Sequence, residues 1–288
     1  MANQIEKFKK YVDLLDEVYM NGAKTAVLES DSTLARQGAN VNEIIIPKIE
    51  IDGLGKYDRN SGYVDGNVVM KNETVEFNYD RGRKFSVDAM DNEETAGLAF
   101  GKLAAEFIRT QVIPEQDAFR FATYSNLAGT KVSGTLGTGA DVLTALQTAT
   151  STMDNAQVPN ENRHLFITPD LLIAVQNVDT TKSRDILGAF ASITKVPTAR
   201  FYTAIDLLDG KTTGEEKGGF KKTSAGKDIN FLIVEKSAVL QFTKHNVNKA
   251  IPPEDNPNAD AWIFNFREYG LTDVYENKTA GIYLHHKA

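Results

Sequence analysis

Apolar residues recur at helical spacing near the start of the chain. They fall at steps of three and four, at Ile5, Phe8, Val12, Leu15 and Tyr19. This period places them on one face of a helix, and Asn21-Gly22 suits its end because glycine tolerates the left-handed conformation. The polar stretch 29–42 has no period and predicts an extended arm. The alternative, a first core helix followed by a loop, stays open.

Two segments with β character come next. The β-branched run 43–51 is interrupted by Pro47, which suits an edge strand. Positions 75–79 alternate apolar and polar residues, which predicts a strand with one apolar face. Between them lie the many turn formers of 52–66. We therefore predict a long hairpin, followed by a turn at 80–83.

A two-stranded hairpin of this length cannot bury much of its own surface. Isolated hairpins are marginal in water. The apolar face therefore needs a surface from the rest of the fold or from a neighbouring copy. The pattern alone leaves both possibilities open.

The rest of the chain predicts helices around a sheet. An Asp-x-x-Glu capping pattern at 91–94 precedes a helical period over 98–108, and Pro114 is expected to kink or end that helix because it lacks a donor. Further helices are predicted over 140–153 and 170–176. Strands are predicted over 163–168, 196–204, 229–234 and within 262–283, with loops at 129–139 and 209–228. This alternation indicates an α/β domain around a central sheet.

Composition and charge narrow the function classes. The 288 residues are 41% hydrophobic and 25% charged, as in ordinary globular proteins. No apolar run reaches the roughly 18 residues of a membrane span. Cysteine is absent, which excludes disulfides, thiol catalysis and Cys-based metal sites. The formal charge of −7 argues against a dedicated nucleic-acid binder.

Motifs for enzymatic chemistry are missing or incomplete. Gly129 to Gly134 have the glycine spacing of a phosphate loop, but Thr135-Leu136 stand where Lys-Ser/Thr is required. None of the four histidines belongs to a zinc-binding helix motif; they are His164, His245, His285 and His286. No Gly-x-Ser-x-Gly elbow is present. We therefore expect no enzyme, no catalytic or metal residues and no cofactor, although catalytic residues far apart in sequence stay possible.

Five segments, in order along the chain, resemble one protein family. The segments are Gly53-Leu-Gly-x-Tyr57-x-Arg59-x-x-Gly62-Tyr63-x-x-Gly66, Asp80-Arg-Gly-Arg83-x-Phe85-x-Val87-Asp88, Glu106-Phe-x-Arg109 with Pro114 and Arg120-Phe121, Ser237-Ala-Val-Leu240 with Lys244-His245, and Asp260-Ala-Trp262 with Arg267-x-Tyr269 and Gly281-Ile-Tyr283. Together they are similar to the major capsid proteins of tailed bacteriophages, in particular those from phages of low-GC Gram-positive bacteria (the siphophage type). That family shares its fold with herpesvirus capsid floors and encapsulins.

The resemblance implies an α+β tailed-phage major-capsid fold. Its parts would be an N-terminal arm (1–42), an extended hairpin loop (43–90), a peripheral domain with a spine helix (91–134 with 251–288) and an α/β axial domain (135–250). The hairpin would then lie on an adjacent subunit, which supplies its missing partner surface.

The resemblance also implies function and partners. The chain would assemble with itself into pentamers and hexamers, forming the icosahedral phage head, first as a procapsid, around DNA contacted non-specifically. It would be made in the bacterial cytoplasm and reside in the virion, with a portal and a separate scaffolding protein as partners. Candidate inter-subunit contacts on the loop are Tyr57, Asp58, Arg59, Tyr63, Arg81 and Arg83; ordinary solvated charges are the alternative for the arginines.

Three other functions compete with this interpretation. An encapsulin-type nanocompartment would have the same fold but enclose an enzyme. An α/β hydrolase or nucleotide-binding enzyme would need the nucleophile or phosphate loop that the sequence lacks. A host-binding phage module would need more exposed aromatic residues than Tyr57 and Tyr63 provide.

Overall fold

A computed structural model describes residues 22–30, 36–37, 43–60, 62–94, 103, 105–178 and 180–288. The helix predicted over 5–19 lies outside these residues, as do positions 95–102 of the helix predicted before Pro114. The β-strands are β1 (Arg36–Gln37), β2 (Glu43–Ile51), β3 (Val68–Glu76), β4 (Tyr79–Asp88), β5 (Thr130–Ser133), β6 (Arg163–Ile167), β7 (Ser192–Lys195), β8 (Ile205–Leu207), β9 (Phe220–Lys222), β10 (Ile229–Glu235), β11 (Val239–Ile251), β12 (Ala261–Val274) and β13 (Ile282–His286).

The α-helices are α1 (Ala89–Glu94), α2 (Ile113–Leu127), α3 (Gly139–Asn155), α4 (Pro169–Gln176) and α5 (Thr180–Leu187). A π-helical turn, Ile108–Val112, precedes α2. Short 3-10 helices are found at Ala26–Leu28, Thr198–Arg200, Lys236–Ala238, Pro253–Asp255 and Glu276–Gly281.

A five-stranded sheet in the order β5-β13-β10-β6-β7 forms the centre of the described fold. Strand β10 is buried along its whole length, and its side chains alternate between two core clusters. Leu232 and Val234 pack with the α2 residues Phe121 and Tyr124 on one face. On the other face, Phe231 packs with side chains of α3 and α4. Helices on both faces confirm a mixed α and β fold with an α/β core.

A second sheet, in the order β11-β12-β4, is antiparallel. Along the chain, β11 follows β10 of the central sheet after a short 3-10 helix. The central strand of this second sheet, β12, is covered on one face by the helix that leads into α2, where Phe107 contacts Phe85, Phe264 and Phe266 at ring-centroid distances of 4.8, 6.5 and 5.7 Å. This packing fixes the direction of β4. Because β4 follows β3 after two residues, it also fixes the root of the hairpin.

The turn predicted at 80–83 is wrong. These residues lie inside β4, which pairs with β12 from Asp88↔Ala261 to Tyr79↔Gly270. The two strands approach each other closely at Gly82, where a Cβ would lie only 2.8 Å from the backbone oxygen of Phe266. The glycine therefore marks a close strand contact rather than a turn.

Pro114 does not end its helix, so of the two predicted outcomes, a kink or an end, the second is wrong. The π-helical turn before it lets the Ile113 amide donate to the Ile108 oxygen, and α2 then continues from Ile113 to Leu127. The widened turn accommodates a residue without an N–H, which is a known use of π-bulges.

Three further predictions needed correction. The loop predicted over 129–139 contains β5, which pairs in parallel with β13. The segment predicted as a strand over 196–204 begins after β7 has ended at Lys195, and it contains a 3-10 turn at Thr198–Arg200. The loop over 209–228 contains β9. The predicted division at residue 250 stays a prediction, while β13, from the predicted peripheral part, lies in the central sheet.

Candidate assembly interface

The hairpin β2–β3 extends through nine paired residues, from Glu43↔Glu76 to Ile51↔Val68. Strand β1 pairs with β2 only at positions 44 and 45. The part of β2 that contains Pro47 therefore has no described neighbour on that side. This agrees with the prediction that a proline needs an edge position.

One face of this hairpin is apolar and exposed. The register places Ile49 opposite Met70 and Ile51 opposite Val68, so the four side chains share a face. Their exposed fractions are 57%, 67%, 72% and 65% respectively. A contiguous apolar face left in water marks an interaction surface. The described residues of the chain do not cover it.

The tip of the hairpin carries four of the residues predicted as contacts. Tyr57 and Tyr63 lie edge to face with ring centroids 4.9 Å apart. Between them, Asp58 and Gly62 form a backbone bridge, and the Asp58 carboxylate accepts a hydrogen bond from the Asn60 amide at 2.7 Å. Gly62 adopts a φ of +83°, which only glycine takes up without strain. The tip is thus a defined turn rather than a loose loop.

The same tip exposes further large apolar side chains. Leu54 is fully exposed and Tyr63 is 89% exposed. Arg59 projects beside them, also exposed. Aromatic residues and arginine are enriched in protein interfaces and among their energetic hot spots. The tip therefore combines side chains that suit contact with another protein.

The other two predicted residues, Arg81 and Arg83, are not on the tip. They lie in β4 at the root of the hairpin, and both contact their own chain. The Arg81 guanidinium pairs with Glu115 of α2 at 2.6 Å and donates to the Leu208 oxygen at 2.8 Å. Arg83 donates to the Glu216 oxygen at 2.9 Å. These bonds join the root of the hairpin to α2 and to the segment between β8 and β9.

Buried tyrosine and ionised groups surround this root. Tyr79 lies within 3.4 Å of the Glu115 carboxylate, and burial, followed by that carboxylate, raises the pKa of its hydroxyl. On the opposite face of the sheet, hydrogen bonds from Arg267 lower the pKa of Asp80. The root is held by charged groups that are already paired, whereas the tip exposes large apolar and aromatic side chains such as Leu54 and Tyr63.

Solved structures share this architecture over nearly the whole chain. A chain of the mature capsid of bacteriophage PhiM1 matches with a TM-score of 0.67 and 11% identity, over 99% of this chain and 92% of that one. A capsid chain of the cyanophage P-SCSP1u matches with a TM-score of 0.64 and 13% identity, over 98% and 93%. This chain has the phage capsid fold. A virus-like particle from Pyrococcus furiosus matches with a TM-score of 0.53 and 11% identity, over 85% and 86%.

Neither a family model nor a curated protein matches the chain by sequence. The phage capsid fold therefore rests on the agreement of three-dimensional structure. The described helices include none long and apolar enough to cross a membrane. Within the described part of the chain, no three His, Asp or Glu side chains are grouped as they would be to hold a metal ion.

A buried polar network, which the sequence did not predict, ties residues 24–30, within the predicted N-terminal arm (1–42), to α2 and β11. Asp117 of α2 is fully buried and accepts hydrogen bonds from the backbone amides of Lys24 and Thr25 at 2.9–3.1 Å. Its Oδ2 also accepts a hydrogen bond from the Arg200 guanidinium at 3.0 Å. Gln241 of β11 donates to the Thr25 oxygen at 3.0 Å.

This network holds residues 24–30 against the rest of the described fold. Leu28, one turn further on, is fully buried in the core cluster beside α2. The residues 24–30 thus connect the helix, the strand β11 and the Arg200 turn. The sequence offered one signal, the charged residues that α2 buries: Glu115, Asp117 and Arg120. Their partners are too distant in sequence to be inferred.

Proposed function

We propose that this chain is a major capsid protein that assembles with itself into an icosahedral phage head. The observation that carries the proposal is the match to phage capsid chains over 98–99% of its length. The exposed apolar hairpin supports it independently, because a monomer would leave that surface in water. Such a protein is a structural component and not an enzyme.

In this proposal the hairpin is the main assembly element. Its apolar face, defined by Ile49, Ile51, Val68 and Met70, and its aromatic tip lie on a neighbouring subunit. Obligate interfaces bury about 2,000 Å² or more in total. A closed shell needs less from each contact, since many contacts form together. The firmly bonded root around Arg81 then sets the direction in which each hairpin extends.

The finer parts of the proposal concern arrangement, partners and location. The subunits form hexamers and pentamers, the shell encloses the DNA genome, and contact with that DNA is non-specific. A separate scaffolding protein and a portal are the expected partners, and synthesis takes place in the host bacterium. The siphophage type of a Gram-positive host rests on the sequence resemblance alone.

A second candidate is a protein nanocompartment of the encapsulin kind. It is favoured by one observation, the match to the virus-like particle from Pyrococcus furiosus. That match is weaker, with a TM-score of 0.53 against 0.67 for the PhiM1 capsid chain. The phage head is therefore the first choice.

Negative-stain electron microscopy of the purified protein, with and without a co-expressed scaffolding protein, tests the proposal. We expect closed isometric shells. A protein that stays a monomer by light scattering under both conditions would contradict it. Sequencing of nucleic acid and mass spectrometry of protein inside the shells distinguish the two candidates, since a phage head takes up its genome and a nanocompartment holds an enzyme.

A further inference from the structure

The exposed face of the sheet β11-β12-β4 carries a row of unpaired cations. Lys249, Asn265 and Lys84 lie directly opposite one another across the three strands, because Lys249 pairs with Asn265 and Asn265 with Lys84. Residues opposite in an antiparallel ladder share a face. Two strand spacings separate the lysine backbones, about 10 Å. Asn265 adds a hydrogen-bonding group between them.

The two lysines have no counter-charge nearby. Both are exposed, and among the described residues neither takes part in an ion pair. The carboxylates on the same face of β4 are Asp80 and Asp88, four residues away on either side, about 13 Å along the strand. Asp80 is already engaged by Arg267 through hydrogen bonds of 2.9 and 2.7 Å. Asp80 is therefore already paired with another cation.

Arg267 extends the row into a patch. It lies on β12 two residues from Asn265, on the same face, and its side chain is 59% exposed. The opposite face of the sheet is covered by Phe107, which contacts Phe264 and Phe266. The sheet is therefore open on its other face at Lys84 and Lys249, both of which are exposed. This face is a basic surface on a chain whose net charge is −7.

We propose that this face, centred on Lys84 and Lys249, binds the phosphate backbone of duplex DNA. The inference rests on the proposed function, in which the shell encloses a DNA genome. A DNA duplex carries one charge for about every 1.7 Å of its axis, so two lysines on strands about 10 Å apart face phosphates in any register. Lysine contacts to phosphate carry no sequence information, which suits a container for a whole genome.

A second copy of the chain is the other possible occupant, and the composition of the patch argues against it. The cores of protein interfaces are depleted in lysine. A protein partner would have to supply two carboxylates at a fixed spacing. A polyanion of uniform charge meets no such requirement.

The test compares two double variants with equal loss of charge. K84Q/K249Q removes the proposed contacts, and K211Q/K217Q removes two exposed lysines of the segment between β8 and β9. Unassembled subunits are titrated with a random-sequence DNA duplex by fluorescence anisotropy at several salt concentrations. Each lost phosphate contact lowers the slope of log K against log salt by about 0.9. We expect K84Q/K249Q to lower the slope by about 2 and the control variant to leave it unchanged.

Electron microscopy of the same variants separates this inference from the proposed function. Normal shells from K84Q/K249Q together with the reduced slope support it. An equal slope in the two variants, or no salt-dependent binding by the unmodified subunit, overturns it while leaving shell formation as evidence for the capsid role. Loss of shells with an unchanged DNA slope also overturns it, and assigns the patch to a contact with a second copy.

Discussion

The central sheet and the hairpin contain the same kinds of residue in opposite surroundings. In the central sheet, Leu165, Ile167 and Ile233 are fully buried between two layers of helices. In the hairpin, Ile49 and Ile51 are 57% and 72% exposed. The free energy gained from burying such side chains, about 1.5–3 kcal/mol each, is therefore realised in the central sheet by the single chain. In the hairpin the described chain does not realise this free energy, and the proposed assembly would make it available.

Under the proposed function, this difference separates a part of the chain that folds from a part that assembles. The largest expected effect comes from deleting residues 53–66 and closing the hairpin with a two-residue turn. Because the described side chains of the tip are exposed and their removal leaves the buried core intact, we expect a soluble, folded subunit that forms no shells. Circular dichroism and negative-stain microscopy check the two halves of this expectation. Shells of normal size from the deletion would contradict the assembly role of the hairpin.

A matched pair of Ile→Ala substitutions measures the difference between the two regions. Ile167→Ala should lower the free energy of unfolding by about 2–5 kcal/mol, because it leaves a cavity in a packed core. Ile51→Ala should change it by no more than about 0.5 kcal/mol, since the side chain is exposed in the subunit. Urea unfolding of unassembled subunits gives both values.

The two substitutions should also differ in their effect on assembly. Ile51→Ala should slow or weaken shell formation at a subunit concentration where the unmodified protein assembles, as followed by light scattering. Equal losses of subunit stability from both substitutions would mean that the hairpin already packs within its own chain.

The sequence predicted the regions with local periodicity and missed those determined by distant partners. The alternation over 75–79 indicated one continuous strand, yet β3 ends at Glu76. The reason is Asn78, whose side-chain amide donates to the Thr272 oxygen at 2.7 Å while its oxygen accepts from the Thr272 amide at 3.1 Å. A bond to a residue 194 positions away redirects the chain there.

The residues of the candidate site show the same difference between local patterns and distant partners. Tyr57 and Tyr63 were predicted from a local glycine-rich pattern, and the structure brings their rings into contact. Arg81 and Arg83 were expected on the loop because Asp80–Arg83 resembled a turn. They lie in a strand instead, since the residues that pair with them, Glu268 and Phe266, come some 185 positions later. Whether they also contact another subunit stays a prediction.

Two arginines from opposite ends of the hairpin provide the next test. Arg81→Ala leaves the Glu115 carboxylate buried without its cation, so we expect a loss of about 1–3 kcal/mol in subunit stability. Arg59→Ala on the exposed tip should cost no more than about 0.5 kcal/mol. Thermal unfolding of unassembled subunits checks both. An unchanged melting temperature for Arg81→Ala, with assembly lost, would favour an inter-subunit role for Arg81.

The smallest expected effect concerns a buried carboxylate in the sheet that joins the two regions. Glu268 of β12 is 3% exposed and accepts a hydrogen bond from the Gln116 side chain. Burial raises the pKa of Glu268, although Arg120 opposes the shift. A carboxylate with a raised pKa in the folded state stabilises the fold most below its unfolded pKa, and this contribution is lost as pH rises through the folded pKa.

Glu268→Gln should therefore stabilise the subunit at neutral pH, by about 0.5–1 kcal/mol, because the amide keeps a hydrogen-bond acceptor for Gln116 without a buried charge. At a pH below the folded-state pKa of Glu268 the difference from the unmodified protein should vanish, since residue 268 is then neutral in both proteins. Urea midpoints at the two pH values measure this, with Glu161→Gln at an exposed position as the control. A stability difference that is independent of pH would show that Glu268 stays ionised through its contact with Arg120, and that this sheet, like the hairpin root at Arg81, is held by paired charges.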